Sequence, residues 1–246
     1  IEIPEGVSTI GNFAFHNCSS ITSIGLLSNV KWIGWDAFSG CSNLTDIELP
    51  SGLSKINDSV FQDCLNLTSI KIPEGVTSIG RYAFEGCEKL ISVEIPSSVI
   101  SIGGHAFENC TGLSIITLPD KITSIDTCIF KGCTGLTLAK ISSGATSIGD
   151  SAFEGCLGLS SIEIPEGVTS VGNLSFKNCT GLASVEIPSS VTAIGDSAFE
   201  GCSALRSVEI PEGITSIGGF VFKNCTDLTL AMGKQLLLTH TNAGVD

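Results

Sequence analysis

Apolar residues along this chain come singly or in pairs, two to four positions apart, and the arrangement returns every 23 residues. Cysteines stand at 18, 41, 64, 87, 110, 133, 156, 179, 202 and 225, with a phenylalanine three residues before each, from Phe15 through Phe222. Between these markers run the aliphatic columns typified by Val76, Ile79, Ala83, Leu90, Val93 and Ile95. A unit this short cannot bury its apolar face alone. The pattern therefore predicts coils that bury their faces by stacking, with neighbouring strands roughly 4.8 Å apart and ten coils spanning on the order of 50 Å.

All eight prolines share one column: Pro4, Pro50, Pro73, Pro96, Pro119, Pro165, Pro188 and Pro211. Proline cannot donate to a sheet ladder, so it marks a strand end. The strand is expected just before it, as in Ser69 to Ile72 or Ser161 to Ile164. The residue before each repeat cysteine is Asn17, Gly40, Asp63, Gly86, Asn109, Gly132, Gly155, Asn178, Gly201 or Asn224. These are the types that tolerate left-handed backbone, and they predict a tight turn with positive φ.

Leu90, Val93, Ile95-Pro96, Val99, Ile102-Gly103, Ala106-Phe107 and Cys110 resemble the repeat of the BspA-like leucine-rich-repeat family. The likeness runs from residue 1 to about 230. It implies a right-handed leucine-rich-repeat solenoid, with a parallel sheet on the concave face and irregular or short helical turns on the other. It further implies a cell-surface or secreted module that adheres to or binds proteins and carries no enzymatic activity. Residues 1–233 are expected to form the solenoid and 234–246 a tail or cap, in which Leu236-Leu237-Leu238 would add a last strand. Two coils depart from the pattern at Gly25-Leu26-Leu27-Ser28 and Leu138-Ala139-Lys140-Ile141-Ser142, and Leu230-Ala231-Met232-Gly233 ends the period. The chain opens inside a repeat and is expected to be a fragment with an uncapped N-terminal end.

Composition narrows the partners. The net charge is -13, which repels nucleic acid and anionic lipid. Mean hydropathy is +0.39, yet no run approaches the roughly 20 apolar residues of a membrane helix. Neither nucleic-acid binding nor membrane insertion is expected.

Eleven cysteines invite a disulfide or metal reading. No C-x-x-C pair occurs, however, and ten cysteines in identical stacked environments are expected to be buried free thiols. Cys128 lies in a different, variable column (Phe13, Asp36, Ser59, Tyr82, His105, Ser151, Leu174, Ser197, Phe220) and is expected to be half-exposed and reactive. His16, His105 and His240 fall in different coils or columns, and periodic serines and carboxylates form no single convergent site. No catalytic residue, metal or cofactor is expected.

The strand's outward column runs Gly25, Glu48, Lys71, Glu94, Thr117, Lys140, Glu163, Glu186, Glu209. Alternating signs at Glu48, Lys71 and Glu94 support each other, whereas Glu163, Glu186 and Glu209 repel on adjacent strands. This column from Lys71 to Glu209 is the candidate contact surface for a protein ligand, its acidic end suiting a basic partner; a solvated acidic face is the plainer reading. Ile115 and Leu138 interrupt the neighbouring serine column of Ser69, Ser92, Ser161, Ser184 and Ser207. Trp32 and Trp35 replace polar residues in two surface columns and are expected to be exposed, as binding anchors or as packing for a missing preceding part.

Three further columns are expected to be structural. Thr123, Thr146, Thr169, Thr192 and Thr215 form a hydroxyl ladder like that of ice-binding solenoids, but they belong to the ordinary repeat. Glu85, Glu108, Lys131, Glu154, Lys177, Glu200 and Lys223 are expected to form a solvated edge of weak ion pairs. Eight N-x-[ST] sequons occur, four as by-products of the left-handed turn column (Asn17, Asn109, Asn178 and Asn224). Alternatives to a protein-binding module are a structural spacer, or a solenoid that associates end to end through open sheet edges.

Overall fold

The computed structural model describes residues 1–26 and 28–229. The end of the period at Leu230 to Gly233, the expected cap and His240 lie outside the described residues. The chain winds as a solenoid in which every paired strand is parallel to its partner and offset from it by one repeat. The strand before the proline pairs as Ser69–Lys71 with Ser92–Glu94, Ile115–Thr117 with Leu138–Lys140, and Ser161–Glu163 with Ser184–Glu186. An isolated bridge from Ser184 to Ser207 carries this ladder on by one coil.

A second ladder of two-residue strands runs beside it. Lys55–Ile56, Ser78–Ile79 and Ser101–Ile102 form one stretch, and Ser124–Ile125 through Ser216–Ile217 form another of five strands. The threonine column sits just ahead of these strands, and its hydroxyls are committed to the backbone. Thr146, Thr169, Thr192 and Thr215 each donate to the carbonyl of the threonine one coil back, at 3.0 to 3.2 Å. Hydroxyls so engaged hold the stack together instead of offering a free array to solvent.

The rest of each coil is turn, and the described residues contain no helix. Its order comes from two left-handed positions. The expected column before the cysteine has φ between 55° and 75° in all ten coils. The second column lies four residues earlier, where Phe13, Asp36, Ser59, Tyr82, His105, Cys128, Ser151, Leu174, Ser197 and Phe220 all have φ between 53° and 62°.

That second column corrects the expectation for Cys128. What the column shares is left-handed backbone and not exposure: Phe13 and Phe220 are half-exposed, whereas Cys128 is only 8% exposed. Burial pushes its thiol pKa up, as does the Glu108 carboxylate. The thiols with more exposure are Cys18 and Cys225.

The core is a set of stacks. Phe15 through Phe222 lie face to face, with ring centroids 5.2 to 5.7 Å apart. The cysteine stack is buried from Cys41 to Cys202, and all its members are free thiols. Each thiol from Cys41 to Cys225 donates to the carbonyl of the phenylalanine 26 residues earlier, at 3.0 to 3.2 Å. Cysteine fits this column because it is small, apolar and a weak donor.

Candidate functional site

The first ladder holds the candidate row outward. Ile70, Val93, Ile116, Ala139, Ile162 and Val185 point into the core, so the next residue of each strand points out. Lys71, Glu94, Thr117, Lys140, Glu163, Glu186 and Glu209 are all exposed. Register places Lys71 opposite Glu94, Thr117 opposite Lys140, and Glu163 opposite Glu186. Among the described residues none of these charges comes within ion-pairing distance of an opposite one.

Glu94, Thr117 and Lys140 line one open groove of about 790 Å³, together with Ile115, Pro119 and Lys121. Ile115 and Leu138 are directly opposite each other on adjacent strands and half-exposed. They make a pair of apolar knobs beside the charged row. The rim residues Asp120 and Lys121 escaped the sequence reading, although a signal was there: elsewhere the proline is followed by Glu-Gly, Ser-Gly or Ser-Ser.

Trp32 and Trp35 do not join this row. Trp32 pairs with Thr9 in the second ladder, and Trp35 follows it into the turn. Both are exposed.

The acid-base column forms pairs, but it is drier than expected. Lys131 lies 3.9 Å from Glu108 and 3.6 Å from Glu154, and Glu200 lies 3.1 Å from Lys177 and 3.7 Å from Lys223. The glutamate side chains are only 14 to 22% exposed. The left-handed turn folds the column against the coils, which removes it from open solvent. Glu85, at the end of the column, has its pKa raised by burial and by repulsion from Glu108, although Gln62 donates to it at 2.7 Å. Glu200 is held below the usual carboxylate range: burial opposes this, but bonds from Lys177 and Ser197 and the charges of Lys177 and Lys223 outweigh it.

His105 contacts Glu108 and stacks on Tyr82, while His16 lies four coils away against Phe13. The structure does not bring these histidines together. Among the described residues no group of three His, Cys, Asp or Glu side chains is placed to hold a metal ion. No helix there is long and apolar enough to cross a membrane.

A stack of short parallel strands with an exposed, irregular row on one ladder defines a leucine-rich-repeat solenoid. Six copies of the BspA type leucine rich repeat region match over residues 1–114, 54–183 and 101–229, and the chain belongs to that family. A leucine-rich-repeat protein of T. pallidum is similar at 33% identity and a TM-score of 0.61, over 65% of this chain and 77% of that one. A leucine-rich cell surface protein of Faecalibacterium prausnitzii matches at 28% identity and 0.59, over 91% of this chain and 64% of that one. The pneumococcal vaccine antigen PcpA, at 22% identity and 0.63, covers 91% and 67%. The search of curated proteins returned no match.

Proposed function

We propose that this chain is a non-enzymatic recognition module of a cell-surface or secreted protein, and that it takes a protein ligand on the outward row from Lys71 to Glu209. The observation that carries this reading is the groove lined by Glu94, Thr117, Lys140 and Ile115, with the exposed Leu138 paired to Ile115 on the next strand. Apolar knobs ringed by unpaired charges on a rigid ladder supply the two parts of a protein contact, a core that excludes water and a polar rim that sets specificity. Variation along the row also separates a recognition surface from a spacer, whose outward residues carry no such demand. The likeness to a cell-surface protein of F. prausnitzii supports the location. Glu163, Glu186 and Glu209 extend the surface as an acidic stripe suited to a basic patch on the ligand.

The test is capture of extracellular-matrix and cell-surface proteins on the immobilised solenoid, at low and physiological salt. Two variants run beside it: Ile115→Ser with Leu138→Ser, and Glu163→Gln with Glu186→Gln and Glu209→Gln. Prey that is retained by the native chain and lost by the first variant supports the groove. Loss with the second at low salt supports the acidic stripe. Equal retention by all three would overturn the assignment of the row.

A further inference from the structure

Trp32 and Trp35 occupy surface columns that hold small or polar residues in most other coils, including Thr9, Lys55 and Ser78 in one and Asn12, Asp58 and Asp150 in the other. We propose a second binding surface, independent of the strand row, in which these two indoles are the stacking platform for pyranose rings of a neutral β-linked oligosaccharide.

The first support is the state of the ring faces. Other exposed or half-exposed rings are engaged within the chain: Phe13 meets His16 edge-on at 5.7 Å, Tyr82 stacks on His105 at 4.6 Å, and Phe220 carries the Lys223 ammonium at 5.1 Å. Among the described residues neither indole has a ring or cation partner, although Trp32 is 42% and Trp35 53% exposed.

The second support is rigidity. Trp32–Ile33 pairs in register with Thr9–Ile10. The Trp35 N–H donates to Asn12 Oδ1 at 3.0 Å, and its carbonyl accepts the Phe13 N–H at 3.0 Å. Gly34, between the two tryptophans, lies so close to the previous coil that a Cβ there would meet Asn12 Oδ1 at 2.3 Å. Both indoles thus stand on a fixed backbone, which lowers the ordering cost of binding.

The third support is what surrounds them. Thr9 and Lys55 precede and follow Trp32 in its column, and Asn12 and Asp58 do so for Trp35; all four are exposed. They offer the Thr9 hydroxyl, the Lys55 ammonium, the Asn12 Nδ2 amide and the second Asp58 oxygen at about coil spacing, since one oxygen each of Asn12 and Asp58 accepts a backbone N–H of the next coil. A pyranose ring has an apolar C–H face and a hydroxyl rim, which match an indole ringed by donors and acceptors. An aromatic anchor for a protein instead needs surrounding contacts that exclude water; the exposed Phe13, whose N–H bonds the Trp35 carbonyl, is engaged with His16, and the polar groups in the two tryptophan columns favour the hydroxylated ligand. Lys55 and Asp58 offset each other, which points to a neutral sugar.

The two residues are the only tryptophans in the chain, so tryptophan emission reads this surface directly. The experiment is titration of the whole chain with cellotetraose and with chitotetraose to millimolar concentration. Trp32→Ser and Trp35→Asn, residue types the repeat already carries in these columns, are run beside it, with thermal unfolding as the check on folding. A saturable change in emission is expected with at least one sugar. Each single variant should weaken it on the order of tenfold, as loss of one stacking contact implies, and Ile115→Ser with Leu138→Ser should leave it unchanged. A flat titration with both sugars would overturn the proposal. So would loss of a captured protein on Trp32→Ser, which would give the platform to the protein ligand.

Discussion

The thiol of Cys110 donates to the carbonyl of Phe84 in the preceding coil, 3.1 Å away, and so ties the cysteine stack to the phenylalanine stack. Both partners are fully buried. Removing the donor leaves the carbonyl with only the Cys87 N–H, 3.1 Å away, and opens a small void. Cys110→Ala is expected to cost about 1 to 2 kcal/mol, read as a lower urea midpoint.

The same burial sets a pH limit. Desolvation raises the thiol pKa to about 11 in Cys41 and to about 12 in Cys133 and Cys179, from an ordinary value of 9.0. Above pH 9.0 the unfolded chain releases protons that the folded chain keeps, so folding stability is complete below that pH and falls as pH rises towards 12. Urea midpoints should be level from neutral pH to about pH 8 and drop steeply beyond 9, each buried thiol adding up to about 1.4 kcal/mol per pH unit. A curve that stays level to pH 11 would contradict buried protonated thiols.

Ser175 presents the opposite case. Its column otherwise holds alanine, valine or isoleucine, and its hydroxyl is buried with no hydrogen-bond partner among the described residues. Ser175→Ala should raise stability by about 1 kcal/mol, the cost of an unpaired buried hydroxyl. A lower unfolding temperature in that variant would show that the hydroxyl has found a partner.

How far these features were legible depends on whether a residue type announces its role. The left-handed column before the cysteine was legible because only Asn, Gly and Asp occur there. The second one, from Phe13 to Phe220, holds no glycine, and its only signal is the lack of the β-branched Val, Ile and Thr, which fit left-handed backbone worst. Cys128 was misplaced for that reason. The second ladder was missed because strands of two residues, such as Ser78–Ile79, are too short to show an alternation. The outward row was legible, since a period of 23 fixes each residue's place in the ladder. The groove was not, because it depends on how Asp120 and Lys121 flank Thr117 and Lys140.

The acidic stripe should carry a cost. Glu163 and Glu186 are opposite each other in register, and Glu209 follows one coil on. Replacing all three with glutamine should raise stability by up to about 1 kcal/mol at low salt, with the gain fading as salt screens the repulsion. A gain that does not depend on salt would trace to something other than charge.

Glu85 and Glu200 share a column yet should respond oppositely to the same substitution. Burial and Glu108 raise the Glu85 pKa, so its charge disfavours folding once pH passes the ordinary value of 4.5. Glu85→Gln should leave stability unchanged at acid pH and raise it at neutral pH. Lys177 and Lys223 flank Glu200 and, with Ser197, lower its pKa, so its charge favours folding above pH 4.5, and that contribution is lost as pH falls through the depressed value. Glu200→Gln should therefore weaken the fold at neutral pH and match the native chain in acid. Each difference should stay within about 1 kcal/mol, because the carboxylates keep some solvent. Thermal unfolding of both variants at pH 3 and pH 7 checks the pair together. Shifts of the same sign at pH 7 would mean that the alternation of charge, and not each residue's own neighbours, sets the energy of this column.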